Sequence, residues 1–98
     1  MLFRSIVRCI LWRMGNANTI YIVVPCFNEQ NRFDIRYWEK IVTKSDVNWT
    51  FVDDGSTDKT INILAGLGKY KNVEILKLQR NFGKAEAVRV GKIGRAHV

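Results

Sequence analysis

Histidine and cysteine, which often hold metals or act as nucleophiles, are almost missing from this chain. Its 98 residues include one histidine and two cysteines. Cys9 and Cys26 are far apart in sequence, so they form neither a disulfide framework nor a metal-ligand spacing. His97 lies in residues 92–98, which are interpreted below as an adaptor-like tail. We therefore expect no native histidine to act as a ligand or a base.

The chain also lacks a hydrophobic run long enough to cross a membrane. Residues 6–12 are apolar but are interrupted by Arg8, whereas a spanning helix needs about 20 apolar residues. An alternative is that this stretch is the remnant of a longer amphipathic or membrane anchor. The 47% hydrophobic content and three tryptophans exclude disorder. They favour one small domain with a modest core.

Both ends of the chain are predicted to be foreign to the protein. The codons CTC TTC CGA TCT can encode residues 2–5, and ATC GGA AGA GCA CAC GTC can encode residues 93–98. The two strings match the two strands of one common sequencing adaptor. We therefore interpret residues 1–13 as a doubtful leader, with 1–5 adaptor-like, and residues 92–98 as an adaptor-like tail. The predicted domain is 14–91.

The positive charge of the chain belongs mainly to those ends. The whole sequence has a net charge of +7, which would ordinarily suggest a nucleic-acid or membrane-surface partner. Residues 14–91 keep eleven basic and nine acidic side chains, a net charge of +2. We therefore expect no nucleic-acid partner.

Apolar runs and turn signals predict a β-α-β-α-β-α order inside this domain. Strands are expected near residues 19–25, 47–53 and 73–78, and helices near 34–45, 57–68 and 84–91. This alternation favours a parallel sheet with right-handed crossovers. We expect the first of these strands to lie between the other two, and residues 1–13 and 92–98 to be poorly packed.

Capping residues locate the starts of the first two helices. Asp34 is a good N-cap, and Phe33 and Trp38 have the spacing of a hydrophobic staple. Ser56 or Thr57 is the expected cap of the second helix. The predicted core-facing positions of the two helices are Ile35, Trp38, Ile41 and Val42, and then Ile61, Leu64, Ala65 and Gly68.

Two adjacent carboxylates stand where the second predicted strand ends. Asp53 and Asp54 follow an apolar run and precede Gly55, which permits a sharp turn. Open α/β sheets bind ligands at the carboxyl ends of their strands. An ionised carboxylate only accepts hydrogen bonds, which suits a base edge, a ribose or a divalent cation. The alternative is that Asp53 ends the strand and Asp54-Gly55 is ordinary turn chemistry.

The loop after the first predicted strand lacks the glycines of the common phosphate-binding loops. Residues 25–29 are Pro-Cys-Phe-Asn-Glu, which matches neither Gly-x-Gly-x-x-Gly nor Gly-x-x-x-x-Gly-Lys-Ser/Thr. This disfavours a dinucleotide enzyme and a phosphate-cradling NTPase. An aromatic ring followed by an amide and a carboxylate can instead stack on a base and hold a ribose; the alternative is an exposed loop.

Three segments together resemble the family 2 glycosyltransferases of the GT-A fold. They are Val-Val-Pro-Cys-Phe-Asn-Glu (23–29), Phe-Val-Asp-Asp-Gly-Ser-Thr-Asp (51–58) and Asn-Phe-Gly-Lys-Ala-Glu-Ala (81–87). The resemblance covers residues 19–91. It implies a partial GT-A, Rossmann-like α/β fold, the parallel half of a nucleotide-diphospho-sugar transferase domain. The third segment is most similar to enzymes that load a sugar onto a polyprenyl phosphate of the dolichyl type.

The resemblance implies a nucleotide-sugar site at the ends of these strands. The pocket would be lined by three residues, Pro25, Phe27 and Glu29. Asp54 would accept a hydrogen bond from the base, with Asp53 beside it on the ribose or in support. Lys84 would approach the diphosphate; the alternative is a solvated lysine in the first turn of a helix. Arg80 is expected to be a surface residue.

The implied activity is transfer of a sugar, with inversion, from a UDP- or GDP-sugar to an acceptor such as a membrane polyprenyl phosphate. The implied location is cytoplasmic, at the cytoplasmic face of a membrane. The catalytic residues and an Asp-x-Asp motif for Mg²⁺ or Mn²⁺ are expected beyond this chain, so we expect no metal site in it and no activity from it alone. Two alternatives are a receiver-like phosphoacceptor domain, which needs an acidic pair directly after the first strand, and a non-catalytic nucleotide-binding module.

Overall fold

The computed structural model describes the backbone of residues 10–13 and 20–96 and the side chains of residues 20–92. Four strands and three helices follow one another along the chain: β1 (Ile10–Arg13), β2 (Ile20–Cys26), α1 (Ile35–Lys44), β3 (Asn48–Asp53), α2 (Thr60–Ala65), β4 (Val73–Lys77) and α3 (Lys84–Ala96). The expectations for residues 1–9, 14–19 and 97–98, including the adaptor-like residues 1–5 and His97, lie outside the described residues.

The described strands form one sheet in the order β1-β2-β3-β4. β2 pairs with β3 and β3 pairs with β4 in parallel, while β1 pairs antiparallel with β2. Helices α1, α2 and α3 follow the three parallel strands in turn. The predicted α/β class, with parallel strands alternating with helices, is confirmed.

The predicted position of the first parallel strand is wrong, because β3 and not β2 lies between the other two. The last five residues of β3 are all buried, whereas β4 is mostly half-buried and ends in exposed Lys77. Charged residues such as Glu74 and Lys77 suit a strand at the edge of a sheet. The fully buried run of β3 suits a parallel strand with parallel neighbours on both sides.

Two expectations about the terminal segments are also corrected. Ile10–Arg13 was expected to be poorly packed, but it forms β1 and pairs with β2 from Ile10 opposite Val23 to Arg13 opposite Ile20. Its bulky apolar residues have high strand propensity, and β2 offers an unpaired edge. The last helix was expected to end near residue 91, but α3 continues to Ala96. No proline interrupts it.

Helices cover both faces of the sheet. On one face, α1 and α2 pack against alternate residues of β2, β3 and β4 in a core that contains Val24, Cys26, Trp38, Val42, Trp49, Phe51, Leu64, Leu67 and Val73. On the other face, α3 places buried Ala87 against Val23 and Val52. Since neighbouring strand residues point to opposite faces, Trp49 and Phe51 face α1 while Val52 faces α3.

Aromatic rings make up the centre of the α1 face. Trp38 is 1% exposed, and its ring centroid lies 5.6 Å from that of Trp49 and 5.4 Å from that of Phe51 in edge-on contacts. Phe33 stacks on Trp38 at 5.8 Å, which confirms the predicted staple. The Asp34 carboxylate accepts the Tyr37 N–H at 3.2 Å, so the predicted cap of α1 is confirmed as well.

The second helix differs from its prediction. α2 begins at Thr60 and is six residues long, so neither Ser56 nor Thr57 caps it. The Asp58 carboxylate instead accepts the Thr60 N–H at 2.9 Å. Its buried positions are Thr60 and Leu64, while Ala65, which was expected to face the core, is exposed.

None of the helices in the described part of the chain combines the length and the apolar character needed to cross a membrane.

Candidate functional site

Three loops meet where the parallel strands end. They follow β2, β3 and β4, and together they surround a cavity of about 410 Å³. Its lining residues are Phe27, Gly55, Ser56, Thr57, Lys77, Leu78, Gln79, Arg80 and Asn81. Parallel strands bring their carboxyl ends to one edge, so an α/β sheet places its ligand site there. The cavity lies at this edge.

The loops after β2 and β3 are hydrogen-bonded to each other through both backbones and side chains. The Asn28 N–H donates to Ser56 Oγ at 2.9 Å, and Asn28 Oδ1 accepts the Thr57 N–H at 2.9 Å. Three more bonds follow along the same two loops: Glu29 N–H to Thr60 Oγ1, Gln30 N–H to Asp58 Oδ2, and Lys59 N–H to Gln30 Oε1. Asn28 has a φ of +50°, a region that asparagine tolerates better than most residues. These hydrogen bonds join the two loops along their length.

Asp53 and Asp54 make hydrogen bonds to different parts of the site. Asp53 occupies the same alternating set as Trp49 and Phe51, so its side chain points to the α1 side of the sheet. It is fully buried. Its Oδ1 accepts the Ser56 N–H at 3.2 Å, and its Oδ2 has no hydrogen-bond partner. A buried carboxylate oxygen without a donor is costly.

Asp54 connects all three loops. Its Oδ1 accepts the Phe82 N–H at 2.8 Å, and its Oδ2 accepts the Gly83 N–H at 3.0 Å. Its carbonyl oxygen accepts from Asn81 Nδ2 at 3.2 Å, and its own N–H donates to the Cys26 carbonyl at 2.8 Å. Asp54 is 2% exposed. The contacts described for its carboxylate are therefore with the backbone of the loop after β4.

Gly55 allows the loops after β3 and β4 to touch. Its φ is +68°, a backbone angle that residues with a side chain rarely adopt. A Cβ at this position would lie 2.2 Å from the Arg80 carbonyl carbon and 2.3 Å from the Asn81 nitrogen. No other residue type fits between these two backbones without moving one of them.

The remaining predicted site residues lie at the same edge in different environments. Phe27 is 38% exposed and lines the cavity. Pro25 is buried within β2 opposite Val52; the strand continues to Cys26, one residue beyond the predicted end near residue 25. Glu29 is 6% exposed and forms an ion pair with Arg32 at 3.2 Å. Lys84 is exposed at the first position of α3.

Two cations at the cavity were missed by the sequence prediction. Lys77 and Arg80 both line it; Arg80 is exposed, as expected for a surface residue. The Arg80 guanidinium also lies 4.5 Å from the centre of the Phe82 ring, a cation–π distance. The signal that could have found them is their position directly at the end of β4, at the same edge as the two acids.

The Asp58 carboxylate carries the resolved pKa shift nearest to this site. The Thr60 hydroxyl donates to it and holds the pKa of Asp58 below its ordinary value, and the N–H groups of Thr60 and Gln30 act in the same direction against burial. Asp58 therefore stays ionised and keeps the loops after β2 and β3 bonded to each other.

A divalent metal has no evident site in the described part of the chain. Among the residues whose side chains are described, no three of histidine, cysteine, aspartate and glutamate cluster closely enough to hold an ion. The two oxygens of Asp54 already accept N–H groups. The described residues therefore do not fit Mg²⁺ or Mn²⁺ by themselves.

Comparison with known proteins identifies the family of this chain. The model of the glycosyl transferase family 2 matches residues 21–91, a span that includes every residue discussed at the site. The chain belongs to glycosyl transferase family 2. This favours the glycosyltransferase interpretation over a receiver-like domain or a non-catalytic nucleotide-binding module.

A curated relative narrows the resemblance within the family. The chain is 39% identical over 83 residues to a dolichyl-phosphate beta-glucosyltransferase of Mus musculus. The match covers 71% of this chain and 25% of the relative, so the chain spans about a quarter of that protein. No solved structure matches this chain.

Proposed function

We propose that this chain forms the donor-nucleotide-binding part of an inverting glycosyltransferase that uses a UDP- or GDP-sugar. The proposed acceptor is a polyprenyl phosphate, in line with the dolichyl phosphate in the name of the mouse relative. We propose that transfer takes place at the cytoplasmic face of a membrane. The observation that carries the proposal is the cavity between the three loops, which lies within the segment that matches the family. The domain is proposed to span residues 14–91.

The charges around the cavity fit a nucleoside diphosphate in one orientation. Lys77 and Arg80 line it, and Lys84 is exposed at the start of α3. Glu29 lies in the loop after β2, whereas Asp53 lies between Cys26 of β2 and Lys77 of β4. A carboxylate would repel a diphosphate, so the base and ribose are proposed to lie toward Phe27 and Glu29 and the phosphates toward Arg80 and Lys84.

The proposed contacts follow from the same arrangement. The ring of Phe27 is exposed enough to stack on a base, a contact worth about 1–3 kcal/mol in nucleic-acid complexes. Asp54 would accept a hydrogen bond from the base, and Asp53 would support it through its own bond to the Ser56 N–H. Pro25 and Glu29 would line the pocket beside Phe27. Lys84 would approach the diphosphate.

The acceptor chemistry requires little from this part of the protein. A phosphate oxygen is already anionic at neutral pH, so its attack on the sugar needs no strong base. The catalytic residues are proposed to lie elsewhere in the protein, and so are the ligands of any Mg²⁺ or Mn²⁺, which would stabilise the charge of the leaving diphosphate. We therefore expect this chain alone to bind the donor nucleotide without transferring sugar.

Calorimetric titration of the chain with uridine, UDP, guanosine and GDP tests this proposal. Phe27→Ala should weaken a nucleoside and its diphosphate by the same factor, roughly 5- to 100-fold. Lys84→Ala should weaken the diphosphate only. Lys71→Ala, at an exposed residue just before β4 and so away from the strand ends that form the cavity, is the matched control and should change neither. Wild-type chain that binds no nucleotide, or variants that all bind alike, would refute the proposed site.

A further inference from the structure

The outer face of α1 carries a row of cations. Arg36, Lys40 and Lys44 follow one another at every fourth position of the helix, and all three are exposed. With about 3.6 residues per helical turn, this spacing places them on the side of α1 opposite its buried Trp38 and Val42. Like charges four residues apart destabilise a helix. The helix dipole favours only Lys44, which lies in the last turn, so the stability of α1 does not account for the row.

The turn before β4 adds two more cations at the end of α1 where Lys44 lies. Glu39 of α1 joins this turn to the helix: its Oε2 accepts from the Tyr70 hydroxyl at 3.2 Å and lies 3.5 Å from Lys69 Nζ. Lys71 lines a cavity of about 390 Å³ together with residues 42 and 43 of α1. Both lysines are exposed. The five cations form one surface, the basic patch: Arg36, Lys40, Lys44, Lys69 and Lys71.

The basic patch holds more positive charge than the domain as a whole. Its cations lie in segments 36–46 and 69–71, which contain two acids, Glu39 and Asp46, so these segments have a net charge of +3. Residues 14–91 have a net charge of +2, and the remainder of the domain is therefore slightly negative. Among the side chains that the structure describes, Lys69 is the patch cation that forms an ion pair. The positive charge of the domain is thus concentrated on one surface.

The shape of the basic patch suits a broad anionic surface better than a small anion. Its cations are spread along the whole of α1 and do not converge on one point. Asp46 lines the neighbouring cavity and would repel an anion there. Clusters of about four to eight Lys and Arg residues on a helix are attracted to the anionic headgroups of a bilayer. A lipid surface therefore matches both the number and the arrangement of these cations.

We propose that the basic patch docks this domain on an anionic membrane surface. The choice of a membrane rests on the proposed function, because the proposed acceptor is lipid-linked, whereas the distribution of charge does not. α1 follows β2, so the helix begins at the edge of the sheet that has the nucleotide cavity. A domain that lies on α1 keeps this edge beside the headgroups, where the phosphate of the acceptor would be.

Co-sedimentation of the full chain with lipid vesicles tests the docking surface. One set of vesicles contains phosphatidylcholine alone, and the other contains equal parts of phosphatidylcholine and anionic phosphatidylserine. The chain should bind the anionic vesicles only. Binding should weaken as the salt concentration rises, because salt screens exposed charges. Equal binding to both sets of vesicles, or binding that salt does not change, would overturn the proposal.

Two double variants with the same net charge separate the patch from charge in general. Lys40→Gln with Lys44→Gln removes two cations of the row. Lys59→Gln with Arg89→Gln removes two exposed cations elsewhere, before α2 and on α3. Each Lys or Arg near an anionic leaflet strengthens binding by about fivefold. The first double variant should therefore bind the anionic vesicles about 25-fold more weakly, and the second should lose much less. Equal losses would contradict a localised surface.

The folding of the variants is checked by urea unfolding. Glutamine and lysine have similar helix propensities, and the substitutions remove repulsion between like charges, so the midpoint of the first double variant should equal or exceed that of the wild type. Arg36→Gln removes one cation of the same row and should weaken vesicle binding by about fivefold. It replaces the double variant if that variant does not fold. Unchanged vesicle binding of a folded variant would refute the role of the row.

Two further measurements distinguish this proposal from its alternatives. Wild-type chain that binds duplex DNA as tightly as anionic vesicles, at equal phosphate concentration, would overturn the choice of a membrane. The variant with Lys40→Gln and Lys44→Gln should bind UDP and GDP as the wild type does. If the chain binds vesicles as expected but no nucleotide, the proposed function fails and the docking surface stands. If it binds nucleotide but no anionic vesicles, the docking surface alone is refuted.

Discussion

Gly55→Ala should be among the most damaging single-methyl changes in this domain. Two effects add. A residue other than glycine at a φ of +68° costs about 1–3 kcal/mol. The new Cβ would also lie 2.2 Å from the carbonyl carbon of Arg80, and backbone cannot rotate away as a side chain can. Forced overpacking costs typically about 1–3 kcal/mol more. We therefore expect a loss of about 2–6 kcal/mol, a large fraction of the stability of a small domain.

Gly83→Ala is a matched control, because it isolates the first of these effects. Gly83 also has a positive φ, +100°, but a Cβ there would meet nothing within 4 Å. Alanine at position 83 should therefore cost only the conformational part, about 1–3 kcal/mol. The difference between the two variants measures the close approach of the turn after β3 to the loop after β4.

Urea unfolding of the wild-type chain and the two variants, followed by tryptophan fluorescence, is the assay. Trp38 and Trp49 are buried in the core and report on global unfolding. The free energies of unfolding should fall in the order wild type, Gly83→Ala, Gly55→Ala. If Gly55→Ala costs no more than Gly83→Ala, the two backbones are not in contact and the described geometry of the site is wrong.

Three further changes test the core and the loops. Gly91→Ala would place a Cβ 2.7 Å from one valine of β2, so overpacking of about 1–3 kcal/mol should exceed the gain in helix propensity of about 1 kcal/mol and lower the urea midpoint. Trp38→Ala should cost about 3–5 kcal/mol in the same assay, because it empties the centre of the aromatic cluster. Thr60→Val should raise the pKa of Asp58 in an NMR titration, since the hydroxyl that lowers it is lost. Because the pKa of Asp58 is lowered in the folded state, its ionised carboxylate stabilises the fold above the ordinary pKa. This stabilisation is lost as the pH falls below about 4, so the variant should lose less stability than the wild type on acidification.

Local patterns predicted the elements well where local contacts form them. β2 and β3 start and end within one residue of their expected bounds, because each is built around a mostly apolar run followed by turn residues. The cap of α1 depends on Asp34, three residues from its donor. The start of α2 was missed because the loop before it is bonded to Gln30 in a loop far away in sequence. A pattern of neighbours along the chain carries no information on such contacts.

The same limit explains why the contacts within the site could not be predicted. The sequence predicted that Asp53 and Asp54 follow one another at the end of a strand, and the structure places them there, but the partners of their carboxylates could not be read from the sequence. The partners of the Asp54 carboxylate stand 28 and 29 positions later. They could not be assigned before the neighbours of β3 were known.

The central position of β3 accounts for these contacts. With β2 on one side and β4 on the other, the turn after β3 has a strand end on each side of it. On the β2 side it bonds to the loop that carries Asn28; on the β4 side it meets Arg80 and Asn81 at Gly55. Had β2 been central, as the sequence suggested, residues 53–58 would have had one neighbouring loop instead of two. The turn Asp-Asp-Gly-Ser therefore contacts the loops on both sides of the cavity. We expect the fold to set its conformation before any nucleotide binds.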